Sequence, residues 1–523
     1  MTLGSKGAVR ALTALAITAL ASLGLAACTP SSQPATSTSS SPSKKDLTVA
    51  ISALAPPFNG SNQATNTLRI TSNVFDPLIF ADPKTGKLSP GLATKWRQVS
   101  PTVTDITIRK GVKFQDGTPM TVDDVAFTLS AERLWGPNAL EPATTVANTL
   151  ADVKVKDAST VEITTKQPDP ALLQRLASPI GFVVPKAYLL KIGIQKFGVQ
   201  PMGTGPYKVE SITPGQQAVL TANKDYWGPK PTYQKVTFKA VTDVTARVSG
   251  LASGQYDIVT SIPPDQSEQI KGNGQRVAST QVRNMVVLAF TTNLPGEATK
   301  DALVRQAMEL AIDRQGLAKS LWNGQVTIRD GFNLPVYKDF YDSKLPVLKQ
   351  NIKKAKQLLD KAGYKGEPID LQYVTGFYTE VDEALQAMQP MWKQAGLNVQ
   401  LDPVANYTLL NYQKANAYVT SSNILLNDPV SPICLDWLCP GANYVKSGRF
   451  TPSPEMAAAA QTLNTSTNFK DRKQAYDTIA KLWTTEVPAI SLWQPEEING
   501  LASGINFTPD PRFWMRFAPV PGS

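Results

Sequence analysis

The chain of 523 residues contains no histidine and only three cysteines. The first absence removes Ser-His-Asp and Cys-His catalysis, His-based zinc sites and direct imidazole ligation of nickel or copper. No Gly-x-Ser-x-Gly elbow occurs either. The turn Gly203-Thr204-Gly205-Pro206 puts a proline where a phosphate loop needs the free N–H groups of a helix N-terminus. Acids number 42, yet no pair is spaced to mark general acid and base work. Asp123 and Asp124 follow Thr121 and read as first-turn acids behind an N-cap hydroxyl, since a hard-cation site needs more oxygens. No enzyme activity, metal or cofactor is expected from such a chain. A basic block is also missing: 52 Lys and Arg give a net charge of +10, but the excess is spread, with Lys44-Lys45 and Lys353-Lys354 as the densest pairs. That pattern does not suit a nucleic-acid binder and does suit a surface lying against an anionic bilayer.

What is present begins at the N-terminus. Lys6 and Arg10 precede an uncharged Ala- and Leu-rich run from Ala11 to Leu25, which ends in Leu25-Ala26-Ala27-Cys28. The run is too short for a stable membrane span. It resembles a bacterial lipobox, which implies a signal peptide over 1–27 and a lipid on Cys28. Losing Lys6 and Arg10 leaves 50 basic residues against 42 acids, or +8. Residues 28–45 are rich in Ser, Thr and Pro without an aromatic residue, and read as a flexible tether. No later apolar run reaches spanning length. With Cys28 acylated, Cys434 and Cys439 remain. Outside the membrane they are expected to form a disulfide around Leu435–Leu438, with two free thiols as the alternative.

Hydrophobic residues make up 42% and charged residues 18%, enough for two or three units with ample cores. Strand-like runs (Leu47–Ile51, Thr104–Ile108, Thr160–Thr164) alternate with helical stripes, which predicts a mixed α/β, α+β class. Leu303, Val304, Ala307, Met308, Leu310 and Ala311 predict a helix over 301–317. Ile352, Ala355, Leu358 and Leu359 predict one stopped at Gly363, and Leu385, Met388, Trp392 and Ala395 one stopped at Gly396.

Several segments, in order, carry a family resemblance: Gly91–Trp96, Ile108–Pro119, Gly203–Val209, Asn223–Gly228, Leu288–Asn293 with Val304–Ala307 and Ala311–Arg314, and Lys354–Leu359 leading into Ala362-Gly363-Tyr364. They resemble the extracellular solute-binding proteins of the oligopeptide, dipeptide and nickel class that serve ABC importers. The resemblance implies a bilobed, periplasmic-binding-protein-like fold of three domains with a hinge. A discontinuous first lobe would take 46–86, 203–292 and 486–523, an inserted small domain 87–202, and a second lobe 293–485. The crossings would fall near Thr291–Asn293 and Ile490–Trp493. It also implies a monomeric lipoprotein held at the membrane by Cys28, with ABC permease and ATPase subunits as partners and no nucleic acid.

Peptide-binding members hold the ligand amine with an acid just before an Asp-Pro or Glu-Pro pair. Here that stretch is Ser422–Pro429, and Leu425 takes the acid's place. Dipeptide binders also carry an arginine after the strand that here is Asp370–Val374. This chain continues Thr375-Gly376-Phe377-Tyr378. Loss of both anchors disfavours a short zwitterionic peptide, though Asp428 or Asp436 can stand in. The candidate ligand contacts are aromatic or apolar (Phe332, Tyr337, Phe377, Tyr378, Leu425, Trp437 and Trp493), with Asn293 and Asn427 as hydrogen-bonding groups. The expected ligand is a longer or blocked peptide, or an uncharged or aromatic small molecule. A metal chelate, whose carrier supplies the ligands, or an oligosaccharide remains an alternative on the same fold. A scaffold or regulatory lipoprotein without transport is the alternative of another class.

Overall fold

Asp46–Ile51 is buried along most of its length because it pairs in parallel on both sides, with Lys235–Ala240 and with Ile258–Val259. The structure that shows this is a computed structural model describing residues 44–294, 297–345 and 347–521. Cys28, the leader and the tether up to residue 43 lie outside the described residues. Around the central strand a seven-stranded sheet runs in the order Arg276–Gln281, Glu496–Leu501, Ile258–Val259, Asp46–Ile51, Lys235–Ala240, Gln217–Ala222 and Tyr207–Thr213. A four-stranded antiparallel sheet (Ala93–Ser100, Val103–Ile108, Thr160–Thr165, Leu150–Asp157) forms the inserted unit. Ile106, Ile108, Val161 and Ile163 alternate onto its core against Val125 and Leu176.

The third sheet has five strands: Asn398–Val404, Pro368–Val374, Ala417–Asn423, Asn284–Phe290 and Ala489–Trp493. Within it, 285–290 is apolar without a break because both of its faces are covered. Val286, Leu288 and Phe290 meet Leu385, Met388 and Trp392 on one side. Met285, Val287 and Ala289 meet Trp437, Tyr476 and Trp483 on the other.

Sequence boundaries and structure differ here in an informative way. Asn284–Phe290 and Ala489–Trp493, which the resemblance assigns to the first lobe, pair with each other in the second-lobe sheet. The crossings therefore fall at 282–283 and 494–495. There the two segments bind one another: Val282 N–H donates to Pro495 O at 3.1 Å, and Gln494 Nε2 to Val282 O at 2.9 Å.

Helices Ile352–Ala362 and Val381–Ala395 end at Gly363 and Gly396. The stripe over 301–317 is two helices, Ala302–Leu310 and Arg314–Trp322. Asp313 divides them, its carboxylate accepting from Gly316 N at 3.0 Å and starting the second. Thr121 and Asp124 form a reciprocal capping box on Val122–Thr128.

The segments that carry the resemblance build the junction between the first lobe and the inserted unit. Gln115 Nε2 donates to Val74 O (2.9 Å) and Tyr207 O (2.6 Å). The buried Asp76 carboxylate accepts from Trp227 Nε1 (2.8 Å), Tyr226 OH (3.1 Å), Thr204 Oγ1 (3.0 Å) and Arg516 Nη2 (2.7 Å). No helix of the described residues is long and apolar enough to cross a membrane.

Candidate functional site: the cleft between the lobes

A cavity of about 900 Å³ lies where four segments meet: the loop at Asn59–Gln63, the inserted unit at Leu140–Ala143 and Gln174–Pro179, the second lobe at Asn423–Asn427 and Leu435–Asp436, and the C-terminal stretch Pro511–Trp514. Its walls are rich in neutral amides, among them Asn59, Asn62, Gln63, Gln174, Asn423 and Asn443. Local turns set some of these. Asn59 Oδ1 accepts from Asn62 N–H at 3.0 Å, and Asn62 Nδ2 donates to Pro57 O at 2.7 Å.

The lobes touch around the cavity. Leu425 packs on the core of the inserted unit, while Ala171 of that unit is buried in the second-lobe core. Gln461 Nε2 donates to Gln167 Oε1 at 3.3 Å. Asn427 rests on the turn at Gly86, whose φ is +64° and where a Cβ would fall 2.6 Å from Asn427 Nδ2. Only glycine fits that approach.

Of the residues picked from sequence, Leu425, Asn427 and Asp436 line the cavity. Asp436 accepts from Ser422 Oγ at 2.7 Å and Asn443 Nδ2 at 3.0 Å. Burial pushes its carboxyl above the ordinary range, against the pull of those two hydrogen bonds. Trp437 is fully buried, stacks on Tyr444 at 3.8 Å, and donates from Nε1 to Ser422 Oγ at 3.2 Å. It therefore reaches Asp436 only through Ser422. Asp428 is engaged elsewhere: its two oxygens accept from Arg472 Nη1 (2.9 Å) and Nη2 (2.6 Å) inside the second lobe.

The other candidates are not brought to the cavity. Phe332 stands edge-on to Trp483 at 5.0 Å, and Tyr337 is buried with its hydroxyl donating to Ser431 O at 2.7 Å. Trp493 packs on Trp322 at 4.6 Å in the opposite core. Phe377 is 56% exposed, edge-on to Tyr378 and Tyr407. Asn293 Nδ2 donates to Gly448 O at 2.6 Å and Thr451 Oγ1 at 3.2 Å. Cys434 and Cys439 are disulfide-bonded beside Asp436.

Sequence reasoning missed the amide loop Asn59–Gln63, the hinge residues Arg283 and Asn284, and Arg512-Phe513-Trp514. The run Asn59-Gly60-Ser61-Asn62-Gln63 is a dense polar turn after the first strand, a signal available without structure. Phe513 holds φ at +63°, a left-handed conformation rare for a bulky residue, and no sequence pattern announces it. Among the described residues no cluster of acids or cysteines is arranged to hold a metal ion.

Two lobes joined by a pair of crossing segments, with a cavity between them, define a solute-binding protein of the hinged, two-lobed class. The chain belongs to the bacterial extracellular solute-binding proteins, family 5, whose model matches residues 87–444. Nickel-binding protein NikA of Staphylococcus aureus is 27% identical over 336 residues, 62% of this chain and 64% of its own length. Glutathione-binding protein GsiB of Salmonella paratyphi A is 28% identical over 299 residues, 57% of each chain. The chain thus spans less than two thirds of the length of these curated relatives. NikZ of Campylobacter jejuni, solved with Ni(L-His), superposes with a TM-score of 0.76 at 21% identity, covering 90% of this chain and 97% of its own. DppA of Helicobacter pylori, solved with the peptide STSA, gives 0.76 at 19% identity, covering 90% and 98%. These likenesses establish the mixed α/β fold of the family.

Proposed function

We propose that the protein captures a solute in the interlobe cavity and hands it to the permease of an ABC importer, working outside the cell membrane from a lipid anchor on Cys28. The observation that carries this reading is the cavity itself. At about 900 Å³ it sits at the upper end of small-ligand sites, roughly 300–1,000 Å³, and it is walled by both lobes and by side-chain amides. Such walls suit a solute with many hydrogen-bonding groups, the size of a longer or blocked peptide. A free ligand amine has no acid at Leu425, and Asp428 is already held by Arg472. Phe513 and Trp514 offer aromatic surface in the cavity.

Thermal shift and Trp fluorescence with free dipeptides, N-acetylated tetrapeptides and oligosaccharides test the reading. Binding of the acetylated tetrapeptides in preference to the dipeptides is expected. Tight dipeptide binding that survives Asp436→Asn, or silence across the panel, would sink the ligand class. Mass spectrometry of the mature N-terminal peptide checks the anchor: a diacylglycerol-modified Cys28 is expected, and unmodified Cys28 removes it. A nickel chelate is the second reading, motivated by the similarity to NikA. Calorimetry with nickel and L-histidine together, against nickel alone, separates it from the first.

A further inference from the structure

The first crossing segment carries a buried positive charge that no carboxylate pairs among the described residues. Arg283 stands on the first crossing, only 9% exposed. It lines both the main cavity and a second one of about 600 Å³ behind the hinge. Its backbone N–H donates to Pro511 O at 3.0 Å and its Nη2 to Pro83 O at 2.9 Å, while the buried Nε has no partner. Arg283 forms no ion pair among the described residues. Arg512 lines the same two cavities. It holds Asp510 through Nε (2.9 Å) and Nη2 (2.6 Å), so both oxygens of that carboxylate are taken. Asp510 is thus engaged by Arg512 alone, and Arg283 stands beside it without a carboxylate of its own. Burial first, and then the charge of Arg512, lowers Arg283 to about 9. Asp82, the next acid, accepts from Thr85 N–H, Thr85 Oγ1 and Lys84 N–H within its own turn.

Unpartnered polar groups line the same cavity. Both side-chain polar atoms of Asn427 are buried without a partner, as is Oδ1 of Asn284. Buried amides and guanidinium nitrogens are seldom left unpaired unless something absent from the protein itself completes them. An oxyanion is the group that answers a fork of guanidinium donors, and a carboxamide N–H adds a neutral donor to it.

We infer that Arg283 is the anchor for an anionic oxygen group of the captured solute, a carboxylate or a phosphate, with Asn427 as a second donor, so that the cleft selects acidic solutes. The inference rests on the solute-capture reading and narrows its ligand class. It also couples binding to closure. Arg283 reaches across the hinge to Pro83, and Asn427 rests on Gly86 of the same first-lobe turn.

The test uses the mature protein, freed of copurified solute, and the small-molecule fraction of yeast extract in three forms: untreated, methyl-esterified to block carboxylates, and phosphatase-treated. Thermal shift reports stabilisation, and native mass spectrometry reports the retained mass. The untreated extract is expected to raise the melting temperature and one of the treated extracts to fail, which tells carboxylate from phosphate. For the solute retained, Arg283→Met is expected to weaken binding by about tenfold or more, and Arg283→Lys by less, because it keeps the charge without the fork. Equal stabilisation by all three extracts, or unchanged binding by Arg283→Met, overturns the anion site and leaves solute capture standing. If no extract stabilises the unaltered protein, solute capture fails and the anion site with it. Should Arg283→Met not fold, the extract comparison on the unaltered chain still decides.

Discussion

Asp428 holds Arg472 by both carboxylate oxygens inside the second lobe, with side chains 11% and 7% exposed. Removing one member leaves the other buried and unpaired, so Asp428→Ala is expected to lower stability by about 3–5 kcal/mol in chemical denaturation. Asp428→Asn combined with Arg472→Met is expected to recover much of that, because neither charge then remains. Glu309 is a different case. Burial raises its carboxyl from 4.5 to about 7, against the attraction of Arg314, whose Nη1 lies 3.7 Å away. The folded chain therefore holds this proton more tightly than the unfolded chain. The contribution of Glu309 to stability is present in full below about pH 4.5 and is lost as pH rises toward 7, by up to about 3 kcal/mol over the window. Denaturation of Glu309→Gln across that range should show a flatter profile; an unchanged slope would assign the dependence to another group. The family resemblance made Leu425 legible as a cleft candidate through its place before Asp428-Pro429, and offered Asp436 as a stand-in acid. It misplaced Trp437 and Tyr337, because a large aromatic side chain serves a core and a binding wall equally well until its neighbours are known.

At the scale of elements, the strongest sequence signals were those with a local cause. Helix stops at Gly363 and Gly396 and the cap at Thr121 are decided within a turn of chain. The stripe over 301–317 read as one helix because Asp313 does not interrupt the apolar spacing; it interrupts the backbone by capping Gly316. The loop Cys434–Cys439 carries Asp436 on its surface and Trp437 on its buried side. Closing so short a loop is worth about 2 kcal/mol by chain entropy. Cys434→Ala with Cys439→Ala is expected to lower stability by that amount and to weaken ligand binding, since Asp436 and its Ser422 contact depend on the same segment. Calorimetric unfolding and a binding titration on the double variant check the two effects separately. Unchanged affinity would mean that the Trp437 stack on Tyr444 holds the loop unaided.

At the scale of the described residues as a whole, the consequential feature is that the lobes meet around a large cavity. Leu425 against the inserted unit is an apolar contact between them. Leu425→Glu places a charge at that contact and is expected to leave circular dichroism unchanged while increasing the radius of gyration in small-angle scattering and weakening solute binding. A radius equal to that of the unaltered protein would show that Leu425 does not hold the lobes together. The hinge differs from its sequence-based placement for a reason at this scale. Asn284–Phe290 and Ala489–Trp493 pair with each other, and the sheet they join is covered on both faces within the second lobe. Burial, not proximity in sequence to first-lobe strands, assigned them.

The sequence by itself determined the class of chain: no histidine, hence no imidazole chemistry; alternating strand and helix signals; and ordered motifs whose side chains, Gln115 and Trp227 among them, fasten the first lobe to the inserted unit. Those are local or pairwise requirements, and they are written in short runs. Only tertiary structure decided the cleft. Its wall is drawn from segments hundreds of residues apart, and whether a polar group such as Arg283 or Asn427 is satisfied depends on partners that come from all of them. Electrostatic balance in a buried site is a property of the assembled neighbourhood, so the unanswered charge at the hinge has no signature in any single stretch of sequence.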